Sequence, residues 1–340
     1  MHAGRQYGIR EFLLWTRRDT FWIVLWAIIP TVLFEILNWK WLVIPWLPIA
    51  LIGTAAAFII GFKNNATYDR LWEARQIWGA IVNLSRTWGI MVRDFVTDKH
   101  LLQVLSKEEL RTIHKKMIYR HIAWLTALRF QLRQKREWEN MDKSYNAEYR
   151  NKLFKVQELQ LDLGEELKKF LVDEERSYIL SKSNRATHLI SLQSIQLKEI
   201  LERGLIDDFK NLQLQNLLKD FYDQQGKCER IKNFPYPRQF ASINLFFIRL
   251  FIVLVPLGML QEFAKMGEDW VWLNIPFSAL VSWVFNSMEK VGESTENPFE
   301  GNANDVPITA LSRTIEIDLK EMLDETDIPE SLQPVNKILM

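Results

Sequence analysis

The chain has 340 residues, 48% of them hydrophobic and 25% charged, with 43 Lys and Arg against 42 Asp and Glu. That length supports a sizeable core, and a net charge of +1 provides no basic face for DNA or RNA, which excludes nucleic acid as a partner. A single cysteine, Cys228, excludes an internal disulfide and a Cys-rich zinc site, while only 13 Gly and 11 Pro disfavour turn-rich β architectures and predict an all-α chain.

Residues 1–20 form an N-terminal segment that carries Arg5, Arg10, Arg17 and Arg18. Residues 21–37 are almost wholly apolar and residues 41–62 carry no charge, so each predicts a transmembrane helix, the two forming a hairpin flanked by interfacial tryptophans. Residues 63–237 read as a cytosolic helical domain. Apolar side chains recur at helical spacing through Leu110 to Leu128, Leu153 to Phe170 and Leu189 to Leu201, and the polar run 137–151 reads as a loop. Residues 240–262, interrupted only by Arg249, and residues 270–288, with a polar stripe, predict a third and a fourth span. A C-terminal stretch, 289–340, opens on a turn-rich segment and continues as a helix from Ile308.

Lys and Arg crowd the first, second and third span ends that face the middle domain, whereas the two outer turns hold only Lys40 and Lys265. The positive-inside rule therefore places both termini and the middle domain in the cytoplasm. Arg249, near the middle of the third span, must pair with protein or water inside an assembly.

No phosphate loop, dinucleotide fingerprint, nucleophile elbow or HExxH zinc motif is present, and no cofactor or metal site is predicted. His114 and His121 share a helix face without further ligands nearby and read as packed histidines; Cys228 reads as a packing residue. Thr54, Phe58 and Phe62 recur every fourth residue on the second span, among Gly53, Ala55, Ala56, Ala57 and Gly61. That spacing serves either a hydrophobic pore constriction or a tightly packed core helix with its phenylalanines buried.

The segment that follows, Gly61 to Gly79 (GFKNNATYDRLWEARQIWG), trades apolar residues for amides and paired charges without losing helical composition. It resembles the signature of bacterial members of the bestrophin family of ion channels. Cys228 to Asn233 (CERIKN) with Pro235 and Pro237, then Asn297-Pro298-Phe299 with Asn304-Asp305 and Ile315 to Leu319 (IEIDL), agree with that family in order and spacing. The resemblance runs from the first span to about Pro329.

The resemblance implies a homopentamer around one axial pore, with a membrane neck at Thr54, Phe58 and Phe62 and a second constriction in the cytosolic domain. Counting back from Cys228 places that second ring at Phe209, and a shorter gap places it at Leu212. Thr54 stands where many relatives carry a bulky aliphatic side chain, which predicts a wetter outer ring. Animal members bind calcium with an acidic run after the fourth span. The matching stretch here holds only Glu300 and Asp305, too few carboxylates for an ion that takes six to eight oxygens.

The function expected is passive passage of small monovalent ions across the bacterial plasma membrane. Glu262, Glu268 and Asp269 against Lys265 leave the outer turn negative, which favours cations; phenylalanine ring edges favour the alternative, a chloride or other monovalent anion channel. A rival class is a membrane-anchored receptor or scaffold that conducts nothing.

Overall fold

The structure, a computed structural model, describes residues 1–99 and 105–340. Among the described residues there are eleven α-helices and no strand, only isolated bridges near the chain ends. They are α1 (Ile9–Glu35), α2 (Trp46–Phe95), α3 (Lys107–Leu132), α4 (Ser144–Leu153), α5 (Leu163–Leu167), α6 (Asp173–Leu180), α7 (Arg185–Glu202), α8 (Asp208–Asn233), α9 (Arg238–Ala264), α10 (Asn274–Thr295) and α11 (Ile308–Met322).

The helix that carries the phenylalanine spacing, α2, runs unbroken for 50 residues, about 75 Å at 1.5 Å per residue. Its only proline, Pro48, lies in the first turn, where a missing N–H costs nothing. Beyond it no residue type forces a stop, so the change from apolar to polar composition at Lys63 alters what the helix touches but not its path. The expected boundary at Trp41 moves, because Asn38 turns the chain with φ 55° and residues 40–42 form a single 3-10 turn. α1 likewise starts at Ile9, so the expected separate segment 1–20 is mostly helix. A 3-10 turn, Glu268–Leu273, precedes α10, and α10 itself runs on to Thr295, past the expected end of the fourth span.

Two further expectations yield to the structure. The periodic run from Leu153 to Phe170 is not one helix: it breaks into the end of α4, a 3-10 turn at Gln157–Leu159, and α5, whose start is capped by the Asp162 carboxylate accepting from the Glu165 amide. The polar run 137–151, read as loop, contains the first part of α4. By contrast, α11 begins at Ile308 as expected.

α10 packs against α1, α2 and α9, and α9 lies along the outer part of α2. The contact is close because Gly53 has no side chain: a Cβ there would lie 2.5 Å from the Phe251 ring. The lower part of α2 is covered by α8 and α11, with α3 and α7 completing a second core around Trp78, Trp88, Trp124 and Phe221, all fully buried. His121 sits inside this core, its Nε2 2.9 Å from the Ser85 hydroxyl, and burial pushes its pKa down to about 3. His114 meets the Val96 carbonyl at 2.8 Å. Cys228 is buried in the same core near Trp78, and burial raises its thiol pKa, which keeps it unreactive.

Candidate functional site

The deciding feature of α2 is the face that nothing among the described residues covers. Its buried positions, among them Ile49, Gly53, Ala56, Ile60, Lys63 and Thr67, take the side towards α9 and α10. On the opposite side Leu51, Thr54, Phe58, Phe62, Asn65, Asp69, Trp72, Gln76, Asn83 and Ile90 are all exposed in the protomer, recurring at three or four residues as far as Gln76 and at seven beyond it, as one stripe. The stripe is apolar down to Phe62 and mostly polar below it. Phe58 is 66% and Phe62 71% exposed, so the alternative of a core helix with buried phenylalanines does not hold within the protomer. Thr54 is exposed beside them, its hydroxyl donating to the Ala50 carbonyl at 2.9 Å.

Phe209 and Leu212, 82% and 60% exposed, occupy the first turns of α8. That end of α8 lies at the foot of α2: the Thr97 amide donates to the Leu205 carbonyl at 2.9 Å, and Lys210 lies over the Phe95 ring at 5.9 Å. From Phe62 to Phe95 α2 rises about 50 Å. The structure thus sets the two pairs of bulky uncovered side chains at separate levels along one helix and does not bring them together.

At the outer end, Glu262 pairs with Lys265 at 2.8 Å and is no free charge, whereas Glu268 and Asp269 are exposed on the 3-10 turn. Arg249 is exposed on α9 and has no hydrogen-bond or ion-pair partner among the described residues of the protomer.

What holds this stretch of α2 in place was not legible residue by residue in the sequence. The polar run after Phe62 stitches α2 to α10. Lys63 forms a buried ion pair with Glu289, whose other oxygen accepts from Asn244 of α9. Asn64 donates to the Met288 carbonyl at 3.2 Å, and Gly292 is required opposite, since a Cβ there would lie 2.1 Å from the Asn64 amide oxygen. One turn on, Thr67 accepts from the Thr295 hydroxyl at 3.0 Å. Arg70 then donates to the carbonyls of Glu296, Ile231 and Phe234 at 3.2, 3.1 and 2.9 Å, satisfying the end of α8, where cations are favoured. The only advance signal was the density of polar residues inside an unbroken helix.

The other two motifs serve the same scaffold. Arg230 pairs with Glu73, and buried Lys232 pairs with Glu139. Asp305 is buried and accepts from the backbone amides of Phe299, Gly301 and Val306 at 2.8, 2.7 and 2.6 Å, and from the Arg133 guanidinium at 2.5 Å. This holds Phe299 in a left-handed conformation, φ 77°, that a bulky residue rarely adopts. Glu300, fully buried, accepts from the Asn140 amide at 2.9 Å and the Asn302 amide group at 3.0 Å, and burial pushes its pKa up to about 8. Both carboxylates are thus engaged by donors of the chain itself.

Residues 17–321 match the family model for the bacterial and fungal bestrophin protein. The chain belongs to the bestrophin family. This bestrophin is 26% identical over 288 residues to the voltage-dependent anion channel-forming protein YneE of Escherichia coli K12, an alignment covering 84% of this chain and 80% of that one. It is 25% identical over 292 residues to the protein of the same description from Mesorhizobium japonicum, covering 85% and 78%. Its fold matches the crystal structure of a bacterial bestrophin homologue from Klebsiella pneumoniae with a TM-score of 0.74 at 23% identity, over 91% of this chain and 98% of that one. These relatives bear channel names, and no enzyme family is indicated.

Proposed function

We propose that this bestrophin conducts small monovalent ions passively through a pore built by five copies of the chain, with the uncovered stripe of α2 facing the axis. The observation that carries this reading is the exposure of Phe58 and Phe62 on a helix whose opposite face is fully occupied. A soluble protomer would cover such side chains. In a ring of helices they form two apolar levels in which an ion sheds water without gaining ligands, a hydrophobic gate. Thr54 forms the outer ring, and Phe209 or Leu212 forms the second constriction where α8 meets the foot of α2.

Each protomer spans the bacterial plasma membrane four times, through α1, α2, α9 and α10, with both termini in the cytoplasm. Of these, α2 and α9 are long and apolar enough to cross a bilayer by composition alone; α1 and α10 cross packed against them. The distribution of Lys and Arg supports the orientation.

For the sign of the ion, the names of the relatives favour the anion reading over the cation expectation, and the positive edges of the phenylalanine rings suit an anion in the neck. A cation reading keeps one support, the exposed acids Glu268 and Asp269 at the outer turn and Asp69 on the α2 stripe. The test is the reversal potential of purified protein in planar bilayers under a KCl gradient. A potential near that of chloride supports the anion reading, one near that of potassium replaces it by the cation reading, and absence of current returns the protein to the scaffold class.

A further inference from the structure

Two neighbouring clefts flank the start of α1 and share Glu11, Trp15 and Tyr149 in their linings. The first, whose empty volume of about 620 Å³ includes space open to solvent, is walled by Phe12, Trp15, Met141, Phe154, Val291 and Ala303. Its polar neighbours are already satisfied: Asn302 donates to the Ser294 carbonyl at 2.6 Å, Asn146 to the Asn140 carbonyl at 2.9 Å, and Tyr7 to the Asn304 amide oxygen at 2.9 Å. What this cleft presents to a guest is therefore apolar surface. The second, likewise open to solvent, is lined by Leu14, Trp15, Tyr145 and Leu153 and rimmed by Arg17, Arg18 and Lys152.

Those three cations converge on one carboxylate. Glu148 pairs with Arg17, with Arg18 at 3.0 Å and with Lys152 at 2.7 Å, which leaves the rim two positive charges in surplus. Glu11, shared by both linings, faces a cation of its own, Lys337 at 3.9 Å, and accepts from the Gly8 amide at 3.0 Å, so the surplus stays at the Arg17, Arg18 and Lys152 rim. The rim lies one turn before the apolar part of α1, whose Phe21 and Trp22 are exposed just beyond it. On the membrane reading above, on which this inference rests, the rim stands at the inner headgroup level, where anionic amphiphiles are present.

We propose that the two neighbouring clefts open into one binding site for a long-chain fatty acid, its carboxylate at Arg17, Arg18 and Lys152 and its alkyl chain in the apolar cleft behind Trp15. A planar guanidinium pair suits a carboxylate, and the satisfied amides of the inner cleft suit a chain without polar atoms. The end of the chain then rests against Val291 of α10 and Ala303 of the loop held by Asp305, so that occupancy reaches the segment linking α10 to the cytosolic core.

The test is equilibrium binding of tritiated palmitate to the purified full-length protein in detergent, a measurement that needs no ion current. Saturable binding is expected, with methyl palmitate and inorganic phosphate failing to compete. R17Q/R18Q weakens binding by at least roughly tenfold, V291W fills the inner cleft and abolishes it, and R17K/R18K, which keeps both charges but not the planar fork, binds more weakly than the wild type and more tightly than R17Q/R18Q. Equal competition by methyl palmitate would mean that the cations play no part and would overturn the proposal, as would competition by phosphate alone or unchanged binding in V291W. If R17Q/R18Q does not assemble, R17K/R18K and the methyl ester decide. Failure of the channel reading shows separately, as absence of current from protein that binds palmitate.

Discussion

Lys63 and Glu289 form a buried ion pair one residue below Phe62, joining the inner end of the apolar part of α2 to α10. The pair fixes the rotation of α2 at the level where the stripe changes from apolar to polar, and so determines that Phe62 and not its neighbour faces outward.

Breaking that pair from one side leaves a charge stranded in the protein interior, which costs about 3 to 5 kcal/mol. Lys63→Met and Glu289→Gln are each expected to lower the unfolding temperature strongly, with Lys63→Met/Glu289→Met recovering much of the loss. Scanning fluorimetry of the three purified variants measures this; a double variant no better than the singles would contradict it.

Phe58→Ala and Phe62→Ala are expected to raise single-channel conductance or open probability while leaving assembly intact, because neither ring packs inside the protomer. A buried phenylalanine would instead cost about 3 to 5 kcal/mol on truncation. Thr54→Ala serves as the control and is expected to change current far less. Planar-bilayer recording paired with light scattering of each variant distinguishes the outcomes.

Glu300 gives the stability a defined pH dependence. Its pKa in the fold, about 8, lies above the ordinary 4.5, so between these values the folded state holds more protons than the unfolded one. The contribution is therefore fully present below about pH 4.5 and is lost as pH rises through 8. Glu300→Gln, which keeps an acceptor for the Asn140 amide, is expected to flatten the decline in unfolding temperature between pH 5 and pH 8.5 (about the span of that titration). An unchanged profile would assign the dependence to other groups.

Calcium at micromolar concentration is expected to leave current and unfolding temperature unchanged, since the oxygens of Asp305 and Glu300 are occupied by amides and by Arg133. Asp305→Ala is expected to destabilise by about 3 to 5 kcal/mol, because it leaves the buried Arg133 only the more distant Glu158, at 3.9 Å, and frees three buried amides. Titration of the wild-type protein with calcium and chelator is the direct measurement; a steep response would show that the loop rearranges to take a cation.

The amino-acid sequence by itself determined the all-helical class, the apolar segments and the register of the Thr54, Phe58 and Phe62 stripe, because these follow from local periodicity and from the solvent each residue prefers. It also placed the start of α11 at Ile308. Tertiary structure alone decided which side of α2 is left uncovered. That choice rests on partners 198 to 228 residues away in the chain: Phe251 against Gly53, Glu289 against Lys63, Gly292 against Asn64 and the Glu296 carbonyl against Arg70. The same cause broke the Leu153 to Phe170 run, where periodicity continued but packing rewarded a turn. Periodicity reports that a face is apolar; only the arrangement of the other helices decides whether that face is filled by the chain itself or left for something else to meet.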